Sequence, residues 1–256
     1  MLSGLKSIAI GCIVLWASTA NADTILVTGA NRGIGLEFAK QYAAKGYKVI
    51  ATARKPAEAT ELNALAKANK SVVVEALDVT DLAAIDALAA KYKGQPIDIL
   101  VNNAGITGSP EKQRFGSIDY ASFDDVMNTN VRGPLKMTEA FTEHLAASKQ
   151  KKVVVVSSSE GSIAGVSSNR QPFYRASKAA VNMAMKNVSY SMKDKGIALA
   201  LINPGPVDTD MMAAARGRMP LRTTELAVKE LSAITEKLTI EQTATFFNFD
   251  GTTLPW

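Results

Sequence analysis

The sequence predicts a single doubly wound α/β domain, in which about seven parallel strands form one Rossmann-like sheet with helices on both faces. Apolar, β-rich runs alternate with stretches of helical spacing from Thr24 to the C-terminus. Such alternation favours strand–helix–strand crossovers and a parallel sheet. The four valines at 153–156 have no polar alternation, which is typical of strands buried on both faces. No repeat or composition shift divides residues 23–256, so one domain is expected.

The predicted strands are short and spread along the whole domain. They cover residues 24–28, 47–53, 71–76, 97–102, 152–158, 197–203 and 244–249. The spacing of apolar residues predicts helices between them. These helices cover residues 33–45, 57–69, 81–93, 123–149 and 173–195.

The composition is that of a globular protein with one sizeable core. Of 256 residues, 47% are hydrophobic and 21% are charged, and the net charge is +5 at pH 7. The basic residues form no concentrated stripe, since the densest cluster, at 149–152, is interpreted as a helix end followed by a strand. Nucleic-acid binding is therefore not expected. A mild positive charge suits an anionic dinucleotide.

The first 22 residues have the pattern of a secretory signal peptide. Lys6 precedes an apolar run at 8–17, and small residues follow as far as Ala22. The apolar run is shorter than the roughly 20 residues that span a membrane. We expect Sec-type export to a periplasmic or secreted location, without stable membrane association after processing. A cytoplasmic or N-terminally anchored protein is the alternative. Cys12, the sole cysteine, lies in this segment, so the mature domain would have no disulfide.

A glycine-rich turn joins the first predicted strand to the first predicted helix. Gly29 permits the tight turn, Gly33 lets the backbone approach a pyrophosphate, and Gly35 allows the helix to pack closely on the strand. The helix would direct free N–H groups at the phosphates. The turn therefore predicts a dinucleotide-binding site. The other candidate cofactor-binding residues of this turn are Asn31, Arg32 and Ile34.

Four motifs, in order along the chain, resemble the signature of the short-chain dehydrogenases/reductases. The glycine spacing G-x-x-x-G-x-G is the first. The other three are Asn102-Asn103-Ala104-Gly105, Tyr174-x-x-x-Lys178 and Asn203-Pro204-Gly205. The C-terminal Leu254-Pro255-Trp256 and the segment around the tyrosine are more narrowly similar to the C-factor-like carbonyl reductases. The resemblance covers residues 24–256 and implies oxidoreductase activity.

The resemblance also implies cofactor contacts outside the glycine turn. Asp78 and Val79 would hold the adenine ring, although Asp78 could instead cap the following helix. Thr209 would contact the nicotinamide carboxamide, although a capping role is the alternative. The other positions carried over from the family are Asn103, Ala104, Gly105, Tyr174, Lys178, Pro204, Gly205 and Val207.

The end of the second predicted strand indicates which cofactor is preferred. NAD-preferring enzymes carry an acid there, which binds the ribose hydroxyls. This chain has Ala53 at that position, followed by Arg54. Arg54 and Arg32 could hold a 2′-phosphate from two sides, because guanidinium groups match phosphate geometry. NADP(H) is therefore expected in preference to NAD(H). Ordinary solvated arginines are the alternative.

Tyr174 and Lys178 are four residues apart, on one face of a predicted helix. A phenol with a pKa of about 10 exchanges protons poorly at neutral pH. A nearby ammonium favours the phenolate and lowers that pKa. We therefore expect Lys178 to lower the pKa of Tyr174, which would act as the general acid. By the resemblance, Lys178 also binds the nicotinamide ribose.

Two further polar residues complete the catalytic set that the resemblance implies. Ser158 aligns with the serine that would bind the substrate carbonyl oxygen. The loop that follows is longer than usual for the family, so Ser159 and Ser162 are alternatives. Asn130 matches the asparagine that kinks a helix and anchors a water leading to the lysine, with Asn128 as the competing candidate.

These residues together predict NADPH-dependent reduction of an aldehyde or ketone to an alcohol. The substrate is expected to be small and apolar, because residues 208–224 would form a lid lined by methionines. Methionines packed on the sheet are the plainer interpretation. The rival hypothesis is a dinucleotide-binding signalling or regulatory protein with little turnover. The methionines of the lid are Met211, Met212 and Met219.

The remaining charged and metal-binding residue types indicate no further site in the sequence except one basic patch. An acyl-carrier ketoreductase would need a basic docking patch, for which Arg216, Arg218 and Arg222 are candidates. His144, the single histidine, is interpreted as a surface residue. No cluster of Cys, His and carboxylates has metal-ligand spacing, so no metal is expected. A homo-oligomer is an expectation from the family alone.

Overall fold

The computed structural model describes residues 22–256, which form one parallel sheet covered by helices. The strands are β1 Thr24–Val27, β2 Lys48–Ala53, β3 Val72–Ala76, β4 Ile99–Asn102, β5 Lys152–Val156, β6 Ala198–Asn203 and β7 Thr245–Asn248. Their order in the sheet is β3-β2-β1-β4-β5-β6-β7. Every neighbouring pair is parallel. The seven predicted strands and the doubly wound fold are confirmed. Residues 1–21 of the predicted leader lie outside the described part of the chain.

Eight α-helices connect the strands of the described chain. They are α1 Gly33–Ala44, α2 Thr60–Ala68, α3 Leu82–Lys91, α4 Tyr120–Met127, α5 Gly133–Ala140, α6 Thr142–Ala146, α7 Pro172–Asp194 and α8 Thr224–Lys237. No helix within residues 22–256 is both long enough and apolar enough to cross a membrane.

Two hydrophobic layers, one on each face of the sheet, form the core. Phe38 of α1 and Leu231 of α8 are fully buried in one layer. Met185 of α7 is fully buried in the other layer, as is Phe141 between α5 and α6. Because both faces are covered, the strands carry the continuous apolar runs seen in the sequence.

The sequence prediction differs from the structure in two helical regions. The region predicted as helical over 123–149 contains α4, α5 and α6, with a π turn at Asn128–Arg132 between the first two. Helix α8 was not predicted at all. Its N-cap Thr223 accepts a hydrogen bond from the Leu226 amide, and Ala227 and Leu231 are buried four residues apart. That capping residue and spacing were the available signal.

The strand order reverses between β1 and β4, and this reversal positions the candidate site. The chain builds β1, β2 and β3 outward in one direction and then returns to place β4 on the other side of β1. Connections after β1 and β4 therefore diverge and leave a crevice at the carboxyl ends of the strands, where ligands bind in such sheets. The glycine turn and all the predicted catalytic motifs follow strands that end at this edge.

Candidate active site

The glycine turn is held directly against the end of β4. A Cβ at Gly35 would lie 2.3 Å from the Gly29 carbonyl oxygen and 2.5 Å from Asn103 Nδ2, so a larger residue does not fit. Asn103 Nδ2 donates to the carbonyl oxygens of Thr28 at 2.9 Å and Gly29 at 3.1 Å. Thr28 Oγ1 accepts from the amides of Asn103 and Ala104 at 3.0 and 3.1 Å. Asn103 and Ala104, two of the predicted cofactor-binding residues, are therefore hydrogen-bonded to the predicted glycine turn and the residue before it.

The amino end of α1 fits a phosphate group. Arg32 occupies the N-cap position without a side-chain cap hydrogen bond, and the first turn contains no acidic residue. Helices α3, α4 and α8 are instead capped by the side chains of Asp81, Asp119 and Thr223. Amides in a first helical turn have no intrahelical acceptor, and the helix dipole favours an anion beside them. This end of α1 thus offers donors that match a pyrophosphate.

Asp78 and Val79 follow β3, at the predicted adenine end of the crevice. Asp78 Oδ1 accepts from the Thr80 amide at 2.9 Å and from the Thr80 hydroxyl at 2.8 Å. Asp81 caps α3, so the alternative that Asp78 caps this helix is wrong. Val79 is buried, and a Cβ at Gly133 would lie 3.0 Å from its carbonyl oxygen. Helix α5 therefore packs directly on this turn.

Two exposed arginines border the crevice beyond the end of β2. The strand ends at the buried Ala53, and the adjoining Arg54 is exposed. Arg32 Nη1 lies 3.1 Å from Asp210 Oδ2, and the side chains of this pair are 68% and 67% exposed. The sequence did not predict Asp210 as a partner, because 178 positions separate the two residues.

Tyr174 and Lys178 occupy successive turns near the start of α7. Lys178 is buried, and its Nζ donates to the Val156 carbonyl oxygen at 2.8 Å. The same nitrogen lies 5.6 Å from the centroid of the Tyr174 ring. Tyr174 is partly buried; burial raises the pKa of its phenol, and the neighbouring Ser158 hydroxyl acts to lower it. The structure thus brings the end of β5 and one face of α7 together around the phenol.

Burial dominates the acid–base properties of this pair. Burial raises the pKa of Tyr174 to about 12; the Ser158 hydroxyl opposes that rise, and the negative charge of Glu160 adds to it. Burial lowers the pKa of Lys178 to about 8. The expected net lowering of the Tyr174 pKa is wrong in this structure, because loss of solvation disfavours the phenolate and dominates the shift.

Ser158 is the serine after β5 whose hydroxyl influences the pKa of the Tyr174 phenol. Ser157 is buried and donates to an asparagine side chain of α7 at 2.5 Å. Ser162 is buried, and its hydroxyl accepts an amide of its own loop at 3.3 Å. Ser159 is exposed. The geometry therefore places Ser158, rather than the two alternatives, beside the tyrosine.

Asn130 lies in the π turn and ties three parts of the site together. Its Nδ2 donates to the Ile106 carbonyl oxygen at 2.8 Å and to Ser177 Oγ at 2.9 Å. Its Oδ1 accepts from the Ile106 amide at 2.9 Å. A Cβ at Gly105 would lie 3.3 Å from that Oδ1 and 3.8 Å from Lys178 Nζ. The amide therefore sits beside the lysine, whereas the role of Ser177 was missed from the sequence.

The turn after β6 is held by Arg222, which the sequence predicted as part of a basic docking patch. Gly205 has a φ of 71°, and a Cβ there would lie 2.8 Å from Phe249 Cδ1. Arg222 Nη1 donates to the Pro204 carbonyl oxygen at 3.1 Å. Its guanidinium lies 3.8 Å from the Phe249 ring centroid, and its backbone pairs with Val207.

The lid segment, residues 208–223, continues from this turn and ends where α8 begins. Thr209 makes no side-chain cap hydrogen bond, so its capping alternative is wrong. Its methyl carbon would lie 3.2 Å from a Cβ at Gly33, which places the lid segment against the glycine turn. Met211 and Met219 are 46% and 45% exposed. The alternative that these two methionines pack on the sheet is therefore wrong.

The basic docking patch expected of an acyl-carrier ketoreductase is not assembled in the described structure. Arg216 Nε lies 2.6 Å from Asp208 Oδ1. Arg222 is largely buried and paired with Glu230. Two of the three candidate arginines are therefore used within the chain.

His144 is half-buried, so its interpretation as a surface residue is wrong. Its Nε2 lies 3.1 Å from the Ala89 carbonyl oxygen, and its ring is 5.0 Å from that of Phe141. Among residues 22–256, no group of three or more His, Cys, Asp or Glu side chains is arranged to hold a metal ion.

The sheet order, the glycine turn and the cluster around Tyr174 define a Rossmann-type oxidoreductase. A family model described as short chain dehydrogenase matches residues 23–219. The chain belongs to the short-chain dehydrogenase family, as its motifs predicted.

Individual relatives match over most of their length. An uncharacterised oxidoreductase of Schizosaccharomyces pombe is 32% identical and aligns over 93% of this chain and 100% of its own. The C-signal protein of Myxococcus xanthus is 33% identical over 66% of this chain and 99% of its own. The structure of an NADPH-bound carbonyl reductase from chicken fatty liver superposes with a TM-score of 0.84 at 31% identity, covering 92% of this chain and all of that one.

Proposed function

We propose that this protein reduces the carbonyl group of a small aldehyde or ketone to an alcohol, with NADPH as the reductant. The observation that carries the proposal is the position of Tyr174, whose ring centroid lies 5.6 Å from the Nζ of the buried Lys178. Burial raises the pKa of this phenol, and the neighbouring Ser158 hydroxyl opposes that rise. This cluster follows β5 at the same edge of the sheet as the uncapped end of α1. A pure binding protein has no need of a phenol in that position.

The chain's own groups suit the proton side of a carbonyl reduction. When bound, the reduced nicotinamide supplies a hydride. With a pKa of about 12, Tyr174 keeps its proton at neutral pH and can donate it to the substrate oxygen. The Ser158 hydroxyl can donate a hydrogen bond to the same oxygen as negative charge develops there. The Lys178 ammonium beside the ring favours the phenolate that proton donation leaves behind.

The residues at the phosphate end support the choice of NADPH. The amides of Gly33, Ile34 and Gly35 would hold the pyrophosphate at the amino end of α1. The missing acid at Ala53 and the exposed guanidinium of Arg54 favour a 2′-phosphate over a free hydroxyl. The chicken structure, which is described as NADPH-bound, supports the same assignment.

The lid segment supports an apolar substrate. Met211 and Met219 are nearly half exposed on it, and methionine side chains adapt to apolar ligands of varied shape. They would cover a short alkyl or aryl carbonyl compound at the crevice.

The direct test is binding of reduced nicotinamide cofactors to the purified domain. We expect NADPH fluorescence to shift on titration, with a lower Kd than for NADH, and NADPH consumption when an aromatic aldehyde is added. The absence of any fluorescence change at millimolar NADPH would remove the oxidoreductase proposal.

A second candidate function is signalling or regulation with little turnover. The 33% identity to a protein named C-signal favours it. The two functions separate in a Tyr174→Phe variant, because proton transfer needs the phenolic hydroxyl, whereas most of the proposed cofactor contacts come from other residues. Loss of the biological effect with unchanged NADPH affinity supports chemistry, whereas a retained effect supports the signalling role.

We also propose that residues 1–22 are removed during export. The first anchored residues lie just beyond this segment, since the Thr24 amide donates to Asp98 Oδ2 at 2.8 Å and Asp23 Oδ2 accepts from Gln150 Nε2 at 2.7 Å. Cleavage after Ala22 would keep both contacts. N-terminal sequencing of the native protein tests this: a terminus at Asp23 supports export, and an intact Met1 in the cytosolic fraction contradicts it.

A further inference from the structure

Backbone hydrogen bonds join the two ends of the lid segment, whereas an exposed ion pair connects it to the glycine turn. The Asp208 amide donates to the Arg222 carbonyl oxygen at 2.8 Å, and the Arg222 amide donates to the Pro206 carbonyl oxygen at 2.8 Å. The segment is thus a loop whose two ends are held together by backbone hydrogen bonds. Its position over the crevice depends on what its first residues touch.

Two consecutive lid residues touch two consecutive residues of the glycine turn. Asp210 is paired with Arg32 at 3.1 Å. The Thr209 methyl carbon lies against Gly33, 3.2 Å from where its Cβ would be. In the free protein, the lid is therefore fastened to the turn that would hold the pyrophosphate.

We propose that the Arg32–Asp210 ion pair is a latch that the 2′-phosphate of NADP(H) opens, so that Asp210 selectively weakens binding of the phosphorylated cofactor. The inference rests on the proposed role of Arg32 in holding that phosphate. A carboxylate and a phosphate compete for the guanidinium, and if both stay near it they repel each other. NAD(H) has no 2′-phosphate, so it neither competes with Asp210 for the guanidinium nor is repelled by its carboxylate.

The expected size of the effect follows from the exposure of the pair. Both side chains are about two-thirds exposed. Exposed ion pairs contribute little, so removal of Asp210 should tighten NADPH binding about two- to five-fold. Phosphate carries more charge than a carboxylate and binds a guanidinium through two hydrogen bonds, so it can displace Asp210.

Asp210→Asn tests the latch, with Asp208→Asn as the matched control. Asp208 lies two residues away and is paired with Arg216 instead, at 2.6 Å. We expect Asp210→Asn to lower the Kd for NADPH about two- to five-fold while the Kd for NADH stays the same. Asp208→Asn should leave the ratio of the two constants at its wild-type value. An unchanged or raised Kd for NADPH in Asp210→Asn overturns the proposal, as does an equal change for both cofactors.

Hydrogen exchange of the free protein gives a second readout that needs no turnover. Asp210→Asn should speed amide exchange over residues 209–216, and 2′,5′-ADP should do the same to the wild-type protein, whereas 5′-AMP should not. Unchanged exchange in the variant overturns the latch. If exchange responds to the variant but NADPH never binds, the cofactor assignment fails and the release by phosphate fails with it. If NADPH binds but Asp210→Asn changes neither the amide exchange rates nor the Kd for NADPH, only the latch proposal fails.

Discussion

Two parts of the site differ sharply in their exposure to water: the catalytic cluster around Tyr174 and the phosphate rim around Arg32. The catalytic cluster consists of Ser158, Tyr174, Lys178 and Asn130. The phosphate rim consists of Arg32, Arg54 and Asp210. The cluster is held by buried or partly buried hydrogen bonds to backbone and side chains, whereas the Arg32–Asp210 pair in the rim is about two-thirds exposed.

The two ends of the site therefore use charge in different ways. In the cluster, low solvation moves the pKa of Tyr174 up and that of Lys178 down, so proton transfer depends on an exact local environment. In the rim, charges act through water and weaken with salt. Changes in the cluster should therefore affect the rate strongly, and changes in the rim should affect cofactor affinity modestly.

Tyr174→Phe should have the largest effect. It removes the proton donor and keeps the ring, so kcat should fall about 10²- to 10⁴-fold, with the Kd for NADPH nearly unchanged. Steady-state kinetics and fluorescence titration measure the two quantities. Tyr190→Phe, at an exposed position on the same helix, should behave as wild type. A rate within a factor of two of wild type for Tyr174→Phe would mean that another group donates the proton.

Gly35→Ala should come next, because this residue packs the glycine turn against Asn103 at the end of β4. A Cβ there would lie 2.3 Å from the Gly29 carbonyl oxygen, so the turn or α1 must shift. Overpacking of this kind destabilises by about 1–3 kcal/mol, and we expect NADPH binding to be lost as well. Thermal denaturation and cofactor titration check both effects. Gly165→Ala is the control, since its nearest neighbour would be 3.5 Å away; equal behaviour of the two variants contradicts the prediction.

The pH dependence of reduction should report the buried lysine. The pKa of Lys178 is lowered to about 8, so its ammonium is present below pH 8 and lost above it. Tyr174, at about 12, stays protonated throughout. The value of kcat/KM for the carbonyl substrate should therefore fall above pH 8, approaching ten-fold per pH unit. Lys193→Ala, on the exposed face of α7, should show the same fall in kcat/KM above pH 8. A profile that stays flat to pH 10 would refute the assignment.

Arg54→Ala should have the smallest effect of the four. An exposed charge contributes little through water, so the Kd for NADPH should rise about two- to five-fold while kcat is kept. The increase should shrink as salt is added, because screening already weakens the wild-type contact. Lys55→Ala removes a neighbouring charge that is paired with Glu58 and should leave the Kd for NADPH unchanged. If Arg54→Ala lowers kcat instead, the rim takes part in the chemistry and the comparison fails.

The sequence alone predicted the features that depend on local pattern. Apolar runs and helical spacing indicated the parallel sheet, because the period of side chains along a strand or helix is a local property. Glycines between β1 and α1 indicated the turn for the same reason. The four-residue spacing placed Tyr174 and Lys178 on one helix face. The sequence prediction missed helix α8, although a capping threonine precedes this helix and its apolar residues are regularly spaced.

The tertiary structure decided what depends on residues that are distant in the sequence. It placed Ser158 beside the phenol, bonded Asn130 to Ser177 across 47 positions, and paired Arg32 with Asp210 across 178. It also reversed the expected shift of the Tyr174 pKa, since solvation is set by everything packed around a group and not by its nearest charged neighbour in the chain. Spacing along a chain determines which residues share a face, and folding alone determines which faces meet.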